Sequence, residues 1–140
     1  MTPFDTALRL YRRQIDAIKV SITVEMERIS TLTARTEAHE VVWREEQAAA
    51  RALPFASDAW AARMRQERSR IDAARSEAQT RLEQLRRDAS AAYGTMRSIE
   101  TAAERWQDDA TRTAALAEQA GIDDLSAARA ARYEPRGRLA

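Results

Sequence analysis

Residues 8–32 read LRLYRRQIDAIKVSITVEMERISTL, and large apolar side chains recur in this stretch every three or four positions. One line of the repeat has a spacing of seven residues and runs on past the stretch: Leu8, Ile15, Ile22, Ile29, Thr36 and Trp43. A second line falls between these positions: Phe4, Tyr11, Ile18 and Leu32. Two such lines make one apolar stripe on an α-helix, which is the heptad pattern of a coiled coil. The stretch therefore predicts a long helix that packs along one seam against a partner helix.

The same pattern returns in the second half of the chain. Its first line consists of Met64, Ile71, Ala78, Leu85, Ala92, Ile99 and Trp106, and its second line contains Leu82, Ala89, Met96, Ala103 and Ala110. Pro54 is the only proline between the two patterns, and a proline disfavours helix at the residue before it. The sequence thus predicts an all-α fold, a long antiparallel two-helix coiled-coil hairpin with a short C-terminal helix.

Breakers and capping residues set the expected boundaries within a single hairpin domain, residues 1–133. We expect helix one at about 4–52, a turn at 53–57, helix two at about 58–120 because Gly121 suits a helix end, a short segment at 122–132, and a flexible tail at 134–140. If the chain folds back about residue 55 or 56, residues that face each other have numbers adding to roughly 111. This register brings Glu46 close to Arg68.

Several seam positions carry polar side chains, namely Glu25, His39, Glu46, Arg68 and Arg75. Polar groups in a coiled-coil seam commonly fix the register at some cost in stability. The alternative interpretation is that they mark a place where a partner docks, and for His39 it includes a pH-sensitive contact.

Composition argues against several classes of function. The chain has a net charge of +1, no cysteine and one histidine, so the residues for a thiol, Ser-His or zinc-thiolate centre are missing. The three glycines are too far apart for a phosphate-binding loop. We therefore expect no enzyme, no cofactor, no metal and no nucleic-acid partner. No apolar run is long enough for a transmembrane helix, and the N-terminal residues do not resemble a secretory signal.

The best candidate for a binding site lies where the predicted hairpin brings the start of helix one near the later part of helix two. The candidate residues are Arg9, Leu10, Arg12, Arg13, Arg105 and Arg112. They fall off the seam, so the fold does not require them, and five guanidinium groups beside an exposed leucine suit a protein partner. A second group of arginines, from Arg63 to Arg70, is interpreted as a solvated helix face, with an anion site as the alternative.

The opening pattern Phe4-x-x-x-Leu8-x-Leu10-x-Arg12-Arg13, a hairpin of this length and the closing element at residues 122–125 resemble the FliJ family of flagellar type III export proteins. The resemblance implies a non-enzymatic cytoplasmic accessory protein that acts as a coiled-coil stalk. Its partners would be the export ATPase ring, the export gate protein and substrate chaperones, through which it would reach the inner membrane peripherally. The alternative from another class is a structural coiled-coil scaffold or homodimeric spacer without an ATPase partner.

Overall fold

The computed structural model describes residues 2–52 and 58–133, and these residues form two long helices. Helix α1 spans Asp5–Ala52 and helix α2 spans Asp58–Tyr133, with no strand in the described part of the chain. The two helices pack against each other, which confirms the predicted all-α two-helix hairpin. The predicted turn at 53–57 and the predicted tail at 134–140 lie outside the described residues.

The first residues of α1 cap the helix reciprocally. The Thr2 hydroxyl donates to Oδ1 of Asp5 at 2.7 Å and the Thr2 backbone N–H donates to Oδ2 at 3.1 Å, while the Asp5 N–H donates to the Thr2 carbonyl at 3.3 Å. The Asp5 carboxylate also lies in the first turn, where the helix dipole favours negative charge. These contacts explain why the helix begins at Asp5.

The chain divides into two compact units. One unit is Arg9–Met96, and the other consists of Met1–Leu8 with Arg97–Ala140, of which residues 2–8 and 97–133 are described. Both units contain residues of both helices.

The seam of the Arg9–Met96 unit follows the two predicted heptad lines. Its buried residues are Ile15, Glu25, Leu32, Thr36, Met64, Ile71, Ala78, Leu82 and Ala92. Leu32, Ile71 and Ala78 form one packed cluster, with Ile29 and Ala74 against it. Ala78 is completely buried, because an alanine facing bulky side chains lets two helices approach closely while the core stays filled.

Contacts across the seam show that the helices are antiparallel. Trp43 stacks on Trp60 with ring centroids 5.4 Å apart, and the Lys19 ammonium lies 5.7 Å from the ring centroid of Tyr93. Earlier residues of α1 therefore contact later residues of α2, which is the antiparallel arrangement.

One predicted pair is wrong. Nη1 of Arg68 lies 3.0 Å from Oε1 of Glu40, whereas Glu46 is exposed. The prediction assumed that facing residue numbers add to roughly 111, and this pair has a lower sum. At this level of the seam, the carboxylate that reaches Arg68 therefore comes from earlier in α1 than predicted.

In the second unit, burial ends at Ala103. Leu8 and Ala103 are buried, whereas every residue from Glu104 to Tyr133 is exposed. Trp106 and Ala110 were predicted on the seam, but Trp106 is 46% exposed and Ala110 is also exposed. The heptad pattern identifies one face of a helix; it does not show that a partner helix covers that face.

Helix α2 also continues where the sequence predicted an end near residue 120. Gly121 lies inside the helix, its φ is not positive, and it does not adopt the left-handed conformation that commonly ends a helix. A glycine inside a helix costs only about 1 kcal/mol relative to alanine, which the surrounding alanine-rich sequence offsets. The separate C-terminal helix is therefore part of α2.

The described helices include none that is long and apolar enough to cross a membrane.

Candidate partner-binding surfaces

The first surface is the N-terminal arginine patch, which we define as Arg9, Leu10, Arg12 and Arg13 on α1. All four residues are exposed, and Leu10 retains 60% of its accessible surface. They flank the seam positions Leu8, Tyr11 and Ile15, and their exposure shows that their side chains face away from the helix partner. None of the three guanidinium groups forms an ion pair with a described residue, which leaves their donors free for a partner.

The other two predicted site residues belong to the second unit. Arg105 and Arg112 are exposed on α2, and Nη1 of Arg112 lies 3.8 Å from Oδ1 of Asp109 one turn earlier. Sequence reasoning treated all six residues as one cluster. The structure assigns four of them to the Arg9–Met96 unit and these two to the other unit.

A second surface is a groove of about 390 Å³ between α1 and α2 at the end of the seam where Trp43 and Trp60 stack. His39, Trp43 and Met64 supply its apolar and aromatic wall, and the charged residues around it are Glu40, Arg44, Arg65 and Arg68. This groove combines an aromatic surface with guanidinium groups, the composition typical of protein interfaces.

His39 is a seam residue of this groove. Its Nε2 lies 2.9 Å from the carbonyl oxygen of Met64, so the ring bonds across the seam to the backbone of α2. Its Nδ1 is buried and lacks a hydrogen-bond partner among the described residues. The geometry supports the interpretation of His39 as a packed seam residue that contacts one specific position on α2.

Arg68 closes the same groove and is held by two carboxylates. Nη1 donates to Glu40 at 3.0 Å, and Nε donates to both carboxylate oxygens of Asp72 at 3.3 Å. The hydrogen bond to Glu40 is the main reason why the pKa of Arg68 is raised above its ordinary value. Its charge is thus satisfied within the chain, and it is the least available guanidinium of the groove.

A third surface is a groove of about 590 Å³ at the neighbouring part of the seam. Leu32, Ile71 and Ala74 form its apolar floor, and Arg35, Arg63, Gln66, Glu67 and Arg70 line it. None of its three arginines forms an ion pair with a described residue.

The arginines between Arg63 and Arg70 therefore do not form one continuous patch. Arg65 and Arg68 line the groove beside the tryptophans, whereas Arg63 and Arg70 line the other one. Sequence reasoning missed Arg35 and Arg44, which α1 contributes to these grooves. Both residues flank the predicted seam, so the sequence pattern could have placed them near α2. The residues of α2 that they adjoin depend on the register between the two helices.

These surfaces offer charge, apolar area and aromatic rings, which are the features that protein interfaces commonly combine. No group of three or more metal-binding side chains occurs within residues 2–52 and 58–133. The chain matches no protein-family model, and comparison with curated proteins and with solved structures finds no similar protein.

Proposed function

We propose that this chain is a non-enzymatic accessory protein of flagellar type III export, a coiled-coil stalk that binds the export ATPase ring and, in addition, the export gate or substrate chaperones. The N-terminal arginine patch is the observation that carries the proposal. Its residues belong to the opening pattern that resembles the FliJ family, and they are exposed although the fold does not need them. A cytoplasmic location follows from this function.

The physical role of the patch in this proposal is electrostatic. Three unpaired guanidinium groups would meet acidic side chains on the ATPase, and complementary charge sets orientation and association rate. Leu10 adds an apolar contact at the centre of the charged group.

The proposal is tested with Arg12→Glu combined with Arg13→Glu. We expect a far-UV circular dichroism spectrum like that of the wild type, together with loss of co-purification with the export ATPase of the same genome and loss of stimulation of its hydrolysis. The matched control is Arg86→Glu with Arg87→Glu, two adjacent exposed arginines on α2 that give the same change of net charge. This control should bind and stimulate like the wild type.

Two results would contradict the proposal. Full stimulation by the folded Arg12→Glu, Arg13→Glu variant would show that the patch is only solvated surface. Absence of binding and stimulation by the wild-type chain would remove the ATPase partner altogether. That second result would favour the alternative function, a structural coiled-coil scaffold or homodimeric spacer, which the unpacked C-terminal part of α2 also supports.

A further inference from the structure

The C-terminal part of α2, residues 104–133, is a long helical segment with no face packed against the other described residues. We call it the exposed segment. All of its residues are exposed, and they include large apolar side chains: Trp106 at 46%, Ile122 at 50%, Leu116 at 66%, Leu125 at 67% and Tyr133 at 86% exposure. Isolated helices are only marginally stable in water, and most helical stability in proteins comes from packing. A segment of this composition therefore gains stability if another helix covers it.

The charges of the exposed segment indicate which helix fits. Its basic residues near the C-terminal end are Arg129 and Arg132, and its acidic residues near the other end include Glu104, Asp108 and Asp109. If the same segment of a second copy lies antiparallel with the two-fold axis near Glu118, Arg132 faces Glu104 and Arg129 lies beside Asp108. Each of these pairs occurs twice, because the axis repeats it.

In this alignment opposite charges meet at both ends of the exposed segment, and only Glu118 meets its own symmetry mate near the axis. A parallel alignment would bring like charges together. The acidic residues at one end would face the acidic residues of the second copy, and Arg129 and Arg132 would face their own counterparts. Like charges in such positions are destabilising, so the charge pattern selects the antiparallel arrangement.

Alanines between the large side chains allow the two helices to approach closely. The segment is about 45 Å long, so a contact strip about 10 Å wide covers on the order of 450 Å² on each copy. Stable interfaces bury about 800 Å² per partner, which places this contact among the transient ones.

We propose that the exposed segment pairs antiparallel with the exposed segment of a second copy of this chain, forming a reversible homodimer. The proposal goes beyond the proposed function and does not depend on it.

Sedimentation velocity of the full chain provides the first test. We expect a shift from monomer to dimer as the concentration rises from about 5 to about 300 µM, and a weaker shift in high salt. The variant Arg129→Glu with Arg132→Glu, and the variant Glu104→Arg with Asp108→Arg, should each raise the dissociation constant by about tenfold or more. An equimolar mixture of these two variants should dimerise again, because their altered ends are complementary.

Arg86→Glu with Arg87→Glu is the control for net charge and should leave the dissociation constant unchanged. Circular dichroism identifies any variant that has lost helix. A wild-type chain that remains monomeric throughout the concentration range overturns the proposal, as does a mixture of the charge variants that fails to associate.

Spin labels provide a second test that needs no charge reversal, and the chain has no cysteine to interfere. Gln119→Cys places a label beside the axis, so labels on the two copies should be close. Gln107→Cys places labels about 35 Å apart along an antiparallel pair. Short distances at both positions would show a parallel pair, and an absence of intermolecular distances at about 300 µM would show that a different partner, or none, covers the segment.

Discussion

Glu25 and Arg81 face each other across the seam, with Oε1 of Glu25 lying 3.4 Å from Nε of Arg81. The same carboxylate oxygen accepts a hydrogen bond from Nη1 of Arg28 at 3.1 Å. The Glu25 side chain is only 10% exposed, whereas those of Arg28 and Arg81 are about half exposed. A single buried carboxylate is thus held by one arginine from each helix, in a position where the heptad pattern favours an apolar residue.

Glu25→Leu is expected to stabilise the fold. Leucine suits the seam position, and the two arginines keep contact with water after the carboxylate is removed. Replacing buried ionic groups by well-packed apolar ones is often neutral or favourable, and we expect a gain of about 1 kcal/mol. Urea unfolding measures the change, with Glu27→Leu on the exposed face as the control. A clear loss of stability would show that the ionic contact contributes more than its burial costs.

His39→Leu should also stabilise the protein, by about 1 kcal/mol. The substitution removes the buried Nδ1 that has no partner in the described structure and gives the seam the same residue type as Leu32 one heptad earlier. The Met64 carbonyl oxygen can still accept a backbone hydrogen bond within α2. The paired variant His39→Ala leaves a cavity instead and should lower the melting temperature. If both variants destabilise the fold, the bond to Met64 outweighs the cost of the unpaired nitrogen.

Ile71→Ala should lower the free energy of unfolding by about 2–4 kcal/mol, because it empties part of the cluster with Leu32 and Ala78. Leu116→Ala removes an exposed side chain and should change the free energy by less than about 0.5 kcal/mol. Similar losses for the two variants in dilute monomeric samples would mean that Leu116 is packed in solution.

The two helical glycines should respond differently to alanine. A Cβ at Gly94 or at Gly121 meets nothing within 4 Å, so neither substitution is strained. Gly94→Ala lies in the packed unit and should raise the melting temperature by an amount that corresponds to about 0.5–1 kcal/mol. Gly121→Ala should strengthen the helical signal at 222 nm without moving the main transition, since its surroundings are exposed. A shared shift of the main transition would show that the exposed segment unfolds together with the core.

Lys19 gives a direct measurement across the seam, because it is the only lysine and yields one side-chain NMR signal. Its pKa is raised above the ordinary value, mainly by the polar contact with the neighbouring Tyr93 side chain and then by the charge on Tyr93. Tyr93→Phe keeps the ring but should lower the pKa of Lys19 towards the ordinary value. An unchanged titration would show that this contact is not formed in solution.

The sign of the linked stability follows from the raised pKa. Any stabilisation by the Lys19–Tyr93 contact is fully present below the unfolded-state pKa of lysine and is lost as pH rises through the folded-state value. The effect is expected to be small, since Lys19 is exposed and screened by solvent. Comparison of alkaline unfolding for the wild type and Tyr93→Phe provides the measurement.

The local pattern of the sequence predicts the seam well. Ile15, Leu32, Met64 and Ile71 were all recognisable as core residues, because a helix has a fixed period and burial follows it. The burial of Glu25 was recognisable for the same reason. Periodicity does not determine the register between two helices, so the pairing of Arg68 with Glu40 was missed.

Long-range packing accounts for the other differences. Trp106 continues the heptad line but stays 46% exposed in the described structure. A one-dimensional pattern does not show where the contact with a neighbouring helix ends. The grooves could not be predicted for the same reason, because Arg35 and Arg63 lie far apart in sequence yet line one surface. Gly121 lies inside α2 because a helical glycine has only a small free-energy cost, which the helix-forming residues around it outweigh.

The exposed segment also separates two kinds of natural selection. Substitutions at positions such as Ile71 are filtered by folding, so residues preserved there among relatives would reflect packing alone. Residues 104–133 are all exposed in the described structure, and folding leaves most of their side chains free to drift. Any side chain that evolution retains in this part of α2 would therefore record a contact made with another molecule.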